Sequence, residues 1–172
     1  TLSINLNRIN KNKKISIIYR NNDNKESLTE LIKFRKKCKI KKFKFYIAND
    51  LRLAKKCLAD GAYLSSYNKM FYPEYGLNLI GSAHNFKEIY EKIKQGCNTI
   101  ILSRLFKTSY KNKKNYLGVV RFNLIKKNYL VNLVPLGGIN NLNLLKLNMV
   151  NSRGLALLSE IKKKPAISHR LF

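Results

Sequence analysis

Two adjacent glycines, Gly137 and Gly138, close an apolar run at 130–136. Glycine at a strand end lets a backbone N–H approach an oxyanion with no Cβ in the way; the plainer role for the pair is a tight turn. Ser159 ends the next apolar run, 154–158. If both runs are parallel strands of a barrel, the two ends lie one barrel position apart, where such folds hold phosphate. Asp50 is one of nine acidic residues and stands beside Asn49 at the end of another run. Its position suits an N-cap for the helix that follows and a magnesium ligand. His84 also follows an apolar run and precedes a helix. It is one of two histidines, the other being His169 in the C-terminal tail. An imidazole titrating near neutrality suits proton transfer, and a lone histidine serves equally as a structural residue.

The elements that must position these groups are legible as an alternation. Short β-branched or apolar runs at 15–19, 43–47, 61–64, 77–80, 99–102, 130–136 and 154–158 read as strands. Between them, 27–38, 50–59, 85–95 and 140–147 read as helices, the first capped by Ser27 or Asn24. Phe86, Ile89, Tyr90 and Ile93 repeat at helical spacing and predict the buried face of helix 85–95, with Gly96 as its left-handed stop. On helix 50–59 the predicted buried face is Leu53, Ala54, Cys57 and Leu58. Alternating strands and helices imply a parallel sheet with right-handed crossovers. Seven strands fit a barrel short of one or an open doubly wound sheet. No Gly-x-Gly-x-x-Gly follows any strand, which counts against a dinucleotide fold. In a βα-barrel the reactive rim is the carboxyl end of the strands. It would here comprise Arg20, Asn21 and Asn22; Asn49 and Asp50; Ser65, Ser66 and Asn68; Ser82 and His84; 103–111; Gly137 and Gly138; and Ser159.

Composition narrows the function classes. The chain of 172 residues is 45% apolar, enough for one globular domain, 1–172, and no linker divides it. No apolar run reaches membrane-span length. The sequence opens TLSINLNRIN, without an initiator Met or a signal peptide, as expected of a chain cropped upstream. Cys38, Cys57 and Cys97 are odd in number and lack CxxC spacing, so free buried thiols in a reducing cytoplasm are expected rather than a zinc site. The net charge of +26 raises nucleic acid as a partner. The lysines are spread along the whole chain, however. The dense runs at Lys39, Lys41, Lys42 and Lys44 and at Lys111, Lys113 and Lys114 do not lie in an RNA-binding signature with interleaved aromatics, so a solvated surface is expected and nucleic acid is not.

An ordered set of motifs carries a resemblance. Residues 45–50 (FYIAND) and 59–64 (ADGAYL) resemble the stretch IINDR…ADGVHLGQ of thiamine phosphate synthases. Residues 80–85 (IGSAHN) are similar to GVSAHT, 102–111 (LSRLFKTSYK) match GPVFPTPTK in part, and 136–139 and 156–161 are similar to AIGGI and VAVVSAI. Order and spacing agree over about 15–161, leaving 162–172 as a basic tail. The related thiazole tautomerases (TenI) share the pattern, so the resemblance identifies the superfamily. It implies a TIM (β/α)8 barrel, here lacking or truncated at the first strand. The implied reaction joins hydroxymethylpyrimidine diphosphate to thiazole phosphate through a pyrimidine cation, releasing pyrophosphate, with magnesium and cationic side chains on the leaving group.

Position by position, the resemblance implies that Arg20 and Asn49 contact the diphosphate and Asp50 ligates magnesium. Ser82 would lie near the pyrimidine and the leaving group, and Thr108 and Lys111 would bind substrate. Gly137, Gly138 and Ser159 would hold the thiazole phosphate, Ser82 and Lys111 being the residues nearest the chemistry. Departures concentrate on one half of the site. The pattern Gln-x-Arg-x-Lys becomes Ile18-Tyr19-Arg20-Asn21-Asn22, the second metal carboxylate becomes Asn68, Gly-Pro becomes Ser103-Arg104, and one threonine becomes Tyr110. Arg104, Lys107 and Lys111 would then take over part of the charge neutralisation. Three functions follow: the transferase; a tautomerase-like isomerase using the phosphate grip with His84 as proton shuttle; and a non-catalytic phosphate-ligand or nucleic-acid binder on an inherited barrel.

Overall fold

A computed structural model describes residues 6–9, 14–20, 26–72, 76–108 and 115–157. After a 3-10 turn at Leu6–Arg8 come β1 (Ser16–Tyr19), α1 (Leu28–Ile40), β2 (Lys44–Ala48), α2 (Leu51–Lys56), β3 (Gly61–Leu64) and β4 (Asn78–Ala83). Then follow α3 (Phe86–Lys94), β5 (Thr99–Ser103), α4 (Gly118–Lys127), β6 (Asn132–Leu136), a 3-10 turn at Asn141–Asn143 and α5 (Leu144–Leu147). The strands form one six-stranded sheet in the order β1-β2-β3-β4-β5-β6, and every neighbouring pair is parallel.

Sequential order and one-sided helices decide between the two sheet types left open by the sequence. Residues alternate between faces along each strand. Ile17, Phe45, Ile47, Ala62, Leu64, Leu79, Ile100, Leu102 and Leu133 form one core with Leu31 and Phe34 of α1, Ala54 of α2, Ile89 of α3 and Phe122 of α4. The opposite face carries a separate cluster of Tyr46, Tyr63, Ile80 and Ile101, flanked by Ile18, Ala48, Leu136 and Ala156. A doubly wound sheet would have helices on both faces and a reversal of strand order. This one has neither, so the fold is a TIM-barrel-like sheet with helices outside and the second cluster inside.

Helix starts follow their caps. Ser27 opens α1 with a reciprocal capping box: its hydroxyl accepts from the Glu30 N–H at 3.3 Å, and its own N–H donates to Glu30 Oε2 at 2.7 Å. Gly96, at φ +82°, takes the left-handed position after α3.

Several expectations are corrected. Helix 50–59 ends at Lys56, and Leu58 turns outward with φ +52° at 79% exposure, because the chain must reverse into β3. On α3 only Ile89 of the predicted apolar face is buried: Phe86, Tyr90 and Ile93 are exposed, and Lys92 is buried beside Ile89. Helix α4 was not expected, since Gly118 opens it and Leu117 offers no capping side chain. The run 130–136 pairs only from Asn132, with Leu130 fully exposed. The strand predicted at 154–158 is reduced, among the described residues, to one parallel bridge, Leu136 to Ala156. No helix among the described residues is long and apolar enough to cross a membrane.

Candidate functional site

The carboxyl ends of β1, β2 and β3 build one half of the rim. Arg20 directly follows β1. Its Nη2 donates to Tyr63 Oη at 2.7 Å, and its guanidinium carbon lies 5.0 Å from the Tyr63 ring centroid. Tyr63 belongs to the inner cluster, so this hydrogen bond and stacking fix a permanent positive charge at the mouth of the barrel. Asn49 follows β2 in the left-handed region, φ +59°, which asparagine tolerates better than most residues. Its N–H donates to the Tyr63 carbonyl at 2.8 Å, and its Oδ1 accepts from the Ser65 N–H at 2.8 Å. Asn49 therefore ties the ends of β2 and β3 together.

Asp50 is the N-cap of α2: its Oδ1 accepts from the Leu53 N–H at 2.8 Å. That satisfies one of the two roles its position allowed. Asn68 turns its amide NH2 toward Asn49 Oδ1 at 3.4 Å and Tyr72 Oη at 3.3 Å, while its Oδ1 accepts from the Met70 N–H at 3.0 Å. That oxygen, its one metal-binding atom, is neutral and already accepts one hydrogen bond. The described residues contain no group of three or more His, Cys, Asp or Glu side chains that could hold a metal. This donor set fits magnesium only in the form that uses a single protein carboxylate, Asp50, with substrate oxygens and water completing the shell.

The ends of β5 and β6 build the other half. The Leu105 N–H donates to the Leu136 carbonyl at 2.9 Å and the Phe106 N–H to the Gly137 carbonyl at 3.0 Å, so the segment after β5 is sewn to the β6 end. Gly137 and Gly138 both have positive φ, +101° and +70°. A Cβ on Gly138 would lie 2.4 Å from the Phe106 carbonyl oxygen and 2.5 Å from that of Lys107. Glycine is thus required there by the close passage of two backbones. Asn143 Nδ2 donates to the Gly138 carbonyl at 2.7 Å and holds the turn from the other side. Arg104 lays its stem over Gly137, and its Nη1 donates to Thr108 Oγ1 at 3.3 Å. Ser82 is buried at the end of β4, on the same strand face as inner-cluster Ile80.

His84 stands apart from these groups. Its N–H and Nδ1 both meet Glu88 Oε2, at 2.8 and 3.0 Å. Burial alone would push the Glu88 carboxyl up, but the His84 hydrogen bonds and charge, with Asn85, outweigh it and hold the carboxyl below its ordinary range. A groove of about 370 Å³ between α3 and α4 is lined by His84, Phe86, Ile89, Leu117, Arg121 and Leu124 on the helix side. It contains none of the other candidates.

The structure thus brings Arg20, Asn49, Asp50 and Asn68 together on one side and Thr108, Gly137 and Gly138 on the other, and directs His84 to α3. Lys111 and Ser159 lie outside the described residues, as do Asn21, Asn22 and Tyr110. Sequence reasoning missed Tyr63, the anchor of Arg20. The period-2 parity of β3, which puts Tyr63 on the inner face, is the signal that could have found it.

Comparisons with known proteins bear on this rim. The family model for thiamine monophosphate synthase matches residues 6–161. A thiamine-phosphate synthase of Prochlorococcus marinus subsp. pastoris is 30% identical over 146 residues, 82% of this chain and 42% of the relative. The chain therefore spans less than half the length of that curated relative. Among solved structures, the thiamine phosphate pyrophosphorylase of Pyrococcus furiosus superposes with a TM-score of 0.73 at 16% identity, over 94% of this chain and 82% of the other. An N-acetylneuraminic acid synthetase of Leptospira borgpetersenii serovar Hardjo-bovis reaches 0.58 at 12% identity, over 92% and 72%. Both structural likenesses speak for the fold.

Proposed function

The chain belongs to the thiamine monophosphate synthase family, and from that premise we propose that it joins hydroxymethylpyrimidine diphosphate to thiazole phosphate with release of pyrophosphate. The observation that carries the reading is the β5–β6 rim. A two-glycine turn is held in a left-handed conformation by Asn143 and by the loop after β5, beside the cation Arg104. Backbone amides at such a turn, next to a guanidinium, suit a phosphate monoester. Ser159 would complete the grip from the next strand.

The opposite half receives the diphosphate. As the methylene C–O bond breaks, negative charge grows on the leaving group and positive charge on the pyrimidine methylene. Groups already in place for that charge lower the barrier without reorganising. Arg20, oriented by Tyr63, is such a group, with Asn49 beside it as a polar contact. Ser82, buried at the end of β4 between the two halves, lies where the pyrimidine would sit, and Thr108 and Lys111 would bind its polar edge or its phosphate. When bound, magnesium would neutralise part of the leaving-group charge, with Asp50 as its protein ligand. The thiazole nitrogen then takes the methylene carbon, and pyrophosphate departs with the electron pair. No membrane attachment is needed for this chemistry, which fits a cytoplasmic site of action.

The test is product formation from the two precursors with purified protein, with and without magnesium. Thiamine phosphate is expected, at a rate that falls at least tenfold in Arg20→Met. Failure to form product, together with failure to bind thiazole phosphate, sinks the reading.

One observation favours a second reading. A neutral amide at Asn68 suits a site that holds a phosphate and no diphosphate, as a tautomerase-like isomerase would. Its shuttle would be His84, whose ring is oriented by Glu88. Isomerisation of a thiazole phosphate that survives unchanged in His84→Ala removes that option.

A further inference from the structure

Lys92 is the second of three basic residues in a surface-looking helix, FKEIYEKIK, yet its side chain is fully buried. It lies under β4, where Gly81 leaves room for its stem: a Cβ at position 81 would come within 2.8 Å of Lys92 Cγ and 2.9 Å of its Cβ. Burying an ammonium costs several kcal/mol unless its protons are met. Here two of its three N–H groups are met, both by neutral acceptors. Nζ donates to the Asn68 carbonyl at 2.7 Å and to Gln95 Oε1 at 2.8 Å. Gln95, also buried, donates its Nε2 to the Asn68 carbonyl at 2.9 Å and to the Met70 carbonyl at 2.7 Å. Between those two anchors, Lys69 pairs with Glu91 of the same helix. Three consecutive residues of the β3–β4 loop are therefore tied to one helix.

The tie reaches the rim. The Asn68 side chain, fixed from behind through its own carbonyl, directs its amide to Asn49 Oδ1. Asn49 in turn holds the ends of β2 and β3. We infer that Lys92, with Gln95, is a positioning residue that sets the β3–β4 loop and, through Asn68 and Asn49, the diphosphate-side rim. An ordinary apolar residue at 92 would fill the space under β4 but leave the Asn68 and Met70 carbonyls to the single side chain of Gln95. The charge strengthens the hydrogen bond to the Asn68 carbonyl in a low-dielectric setting, which is where a lone lysine is worth its desolvation. Burial shifts the Lys92 ammonium below the ordinary lysine range, as expected of a cation without a carboxylate partner.

The inference rests on the proposed function only for what the rim binds, so the experiment reads loop and ligand separately. Lys92→Met removes the donors and keeps the stem. The double variant Gly81→Val with Lys92→Ala refills the space under β4 from the strand side, and so tests the tie even if the single variant folds poorly. Hydrogen exchange of a peptide covering 65–72 is expected to quicken at least tenfold in both, with the β5 and β6 peptides unchanged. Inorganic pyrophosphate should bind at least tenfold more weakly, while thiazole phosphate binds as in the parent protein. A purely structural lysine would weaken both ligands alike or neither. Unchanged exchange at 65–72 in the double variant overturns the tie. Quickened exchange with equal loss of both ligands, or of neither, overturns the positioning role. If the parent protein binds neither ligand, the functional reading falls while the exchange measurement still decides the tie.

Discussion

Asp50 carries two assignments that one substitution pair can separate. As the N-cap of α2 it needs an oxygen that accepts from the Leu53 N–H; as a magnesium ligand it needs a charge. Asparagine caps about as well as aspartate, and alanine costs about 1 kcal/mol at such a position. Asp50→Asn should therefore leave the urea midpoint nearly unchanged and abolish the magnesium response of turnover, whereas Asp50→Ala should lose both. A magnesium response retained in Asp50→Asn would confine the residue to capping. Gly138 is the other residue whose type is dictated by geometry. Its φ of +70° costs a non-glycine residue about 1–3 kcal/mol, and a Cβ there meets two carbonyl oxygens at 2.4 and 2.5 Å. Gly138→Ala should destabilise by at least that range in chemical denaturation and remove thiazole phosphate binding. Gly154→Ala is the control, because a Cβ there meets nothing within 4 Å.

Among the elements, α3 depends most on a single acidic residue. Glu88 accepts from the His84 N–H, from His84 Nδ1 and from Asn85 Nδ2, while Asn85 caps the Glu88 N–H at 2.9 Å. Because the folded protein holds the Glu88 carboxyl below its ordinary value near 4.5, its contribution is present above that value and is lost as pH falls through the folded one. Glu88→Gln should thus lower the melting temperature at pH 6–7, and the gap from the parent protein should close as pH falls through the lowered folded-state value of Glu88. A gap independent of pH would mean that the hydrogen bonds count without the charge. The same helix shows where sequence reading reaches its limit. Its start at Asn85 and stop at Gly96 were legible because caps are local chemistry. Its buried face was not. Hydrophobic spacing chose Phe86, Ile89, Tyr90 and Ile93, yet of these only Ile89 is buried, Lys92 is buried with it, and the space for Lys92 comes from Gly81 on another element. Helix α4 escaped for a related reason: with Gly118 first and no capping side chain at Leu117, it is held by Phe122 and Ile125 packing on the sheet. Most rim residues were legible from strand ends alone, but the Arg20–Tyr63 pair needed strand parity, which fully buried strands conceal.

Over the whole molecule, charge and core divide the work. The described acidic side chains are all engaged: Glu26 accepts from Tyr19, Glu30 from Ser27, Asp50 from Leu53, Asp60 from Phe45 and Arg35, Glu88 from His84, and Glu91 from Lys69. With a net charge of +26, the excess cations leave a positive field that favours anionic ligands. The core under that surface is continuous, since Cys38 in α1, Cys57 at the end of α2 and Cys97 after α3 all belong to one helix-side cluster. All three are free and buried. Burial pushes Cys38 and Cys97 up to about 11, in Cys97 against the pull of Lys92. At pH 8 a thiol of that kind is about one part in a thousand thiolate, and access is closed as well, so alkylation must wait for opening. Iodoacetamide should leave the native protein unmodified for hours. In a urea series all three thiols should become reactive at the midpoint seen by circular dichroism, because one core loses its packing as a unit. Cys97 reacting at a lower urea concentration than Cys38 and Cys57 would show instead that the β4–α3 unit opens by itself. The continuity of the core across the three βα units would then be broken at the helix that carries Lys92.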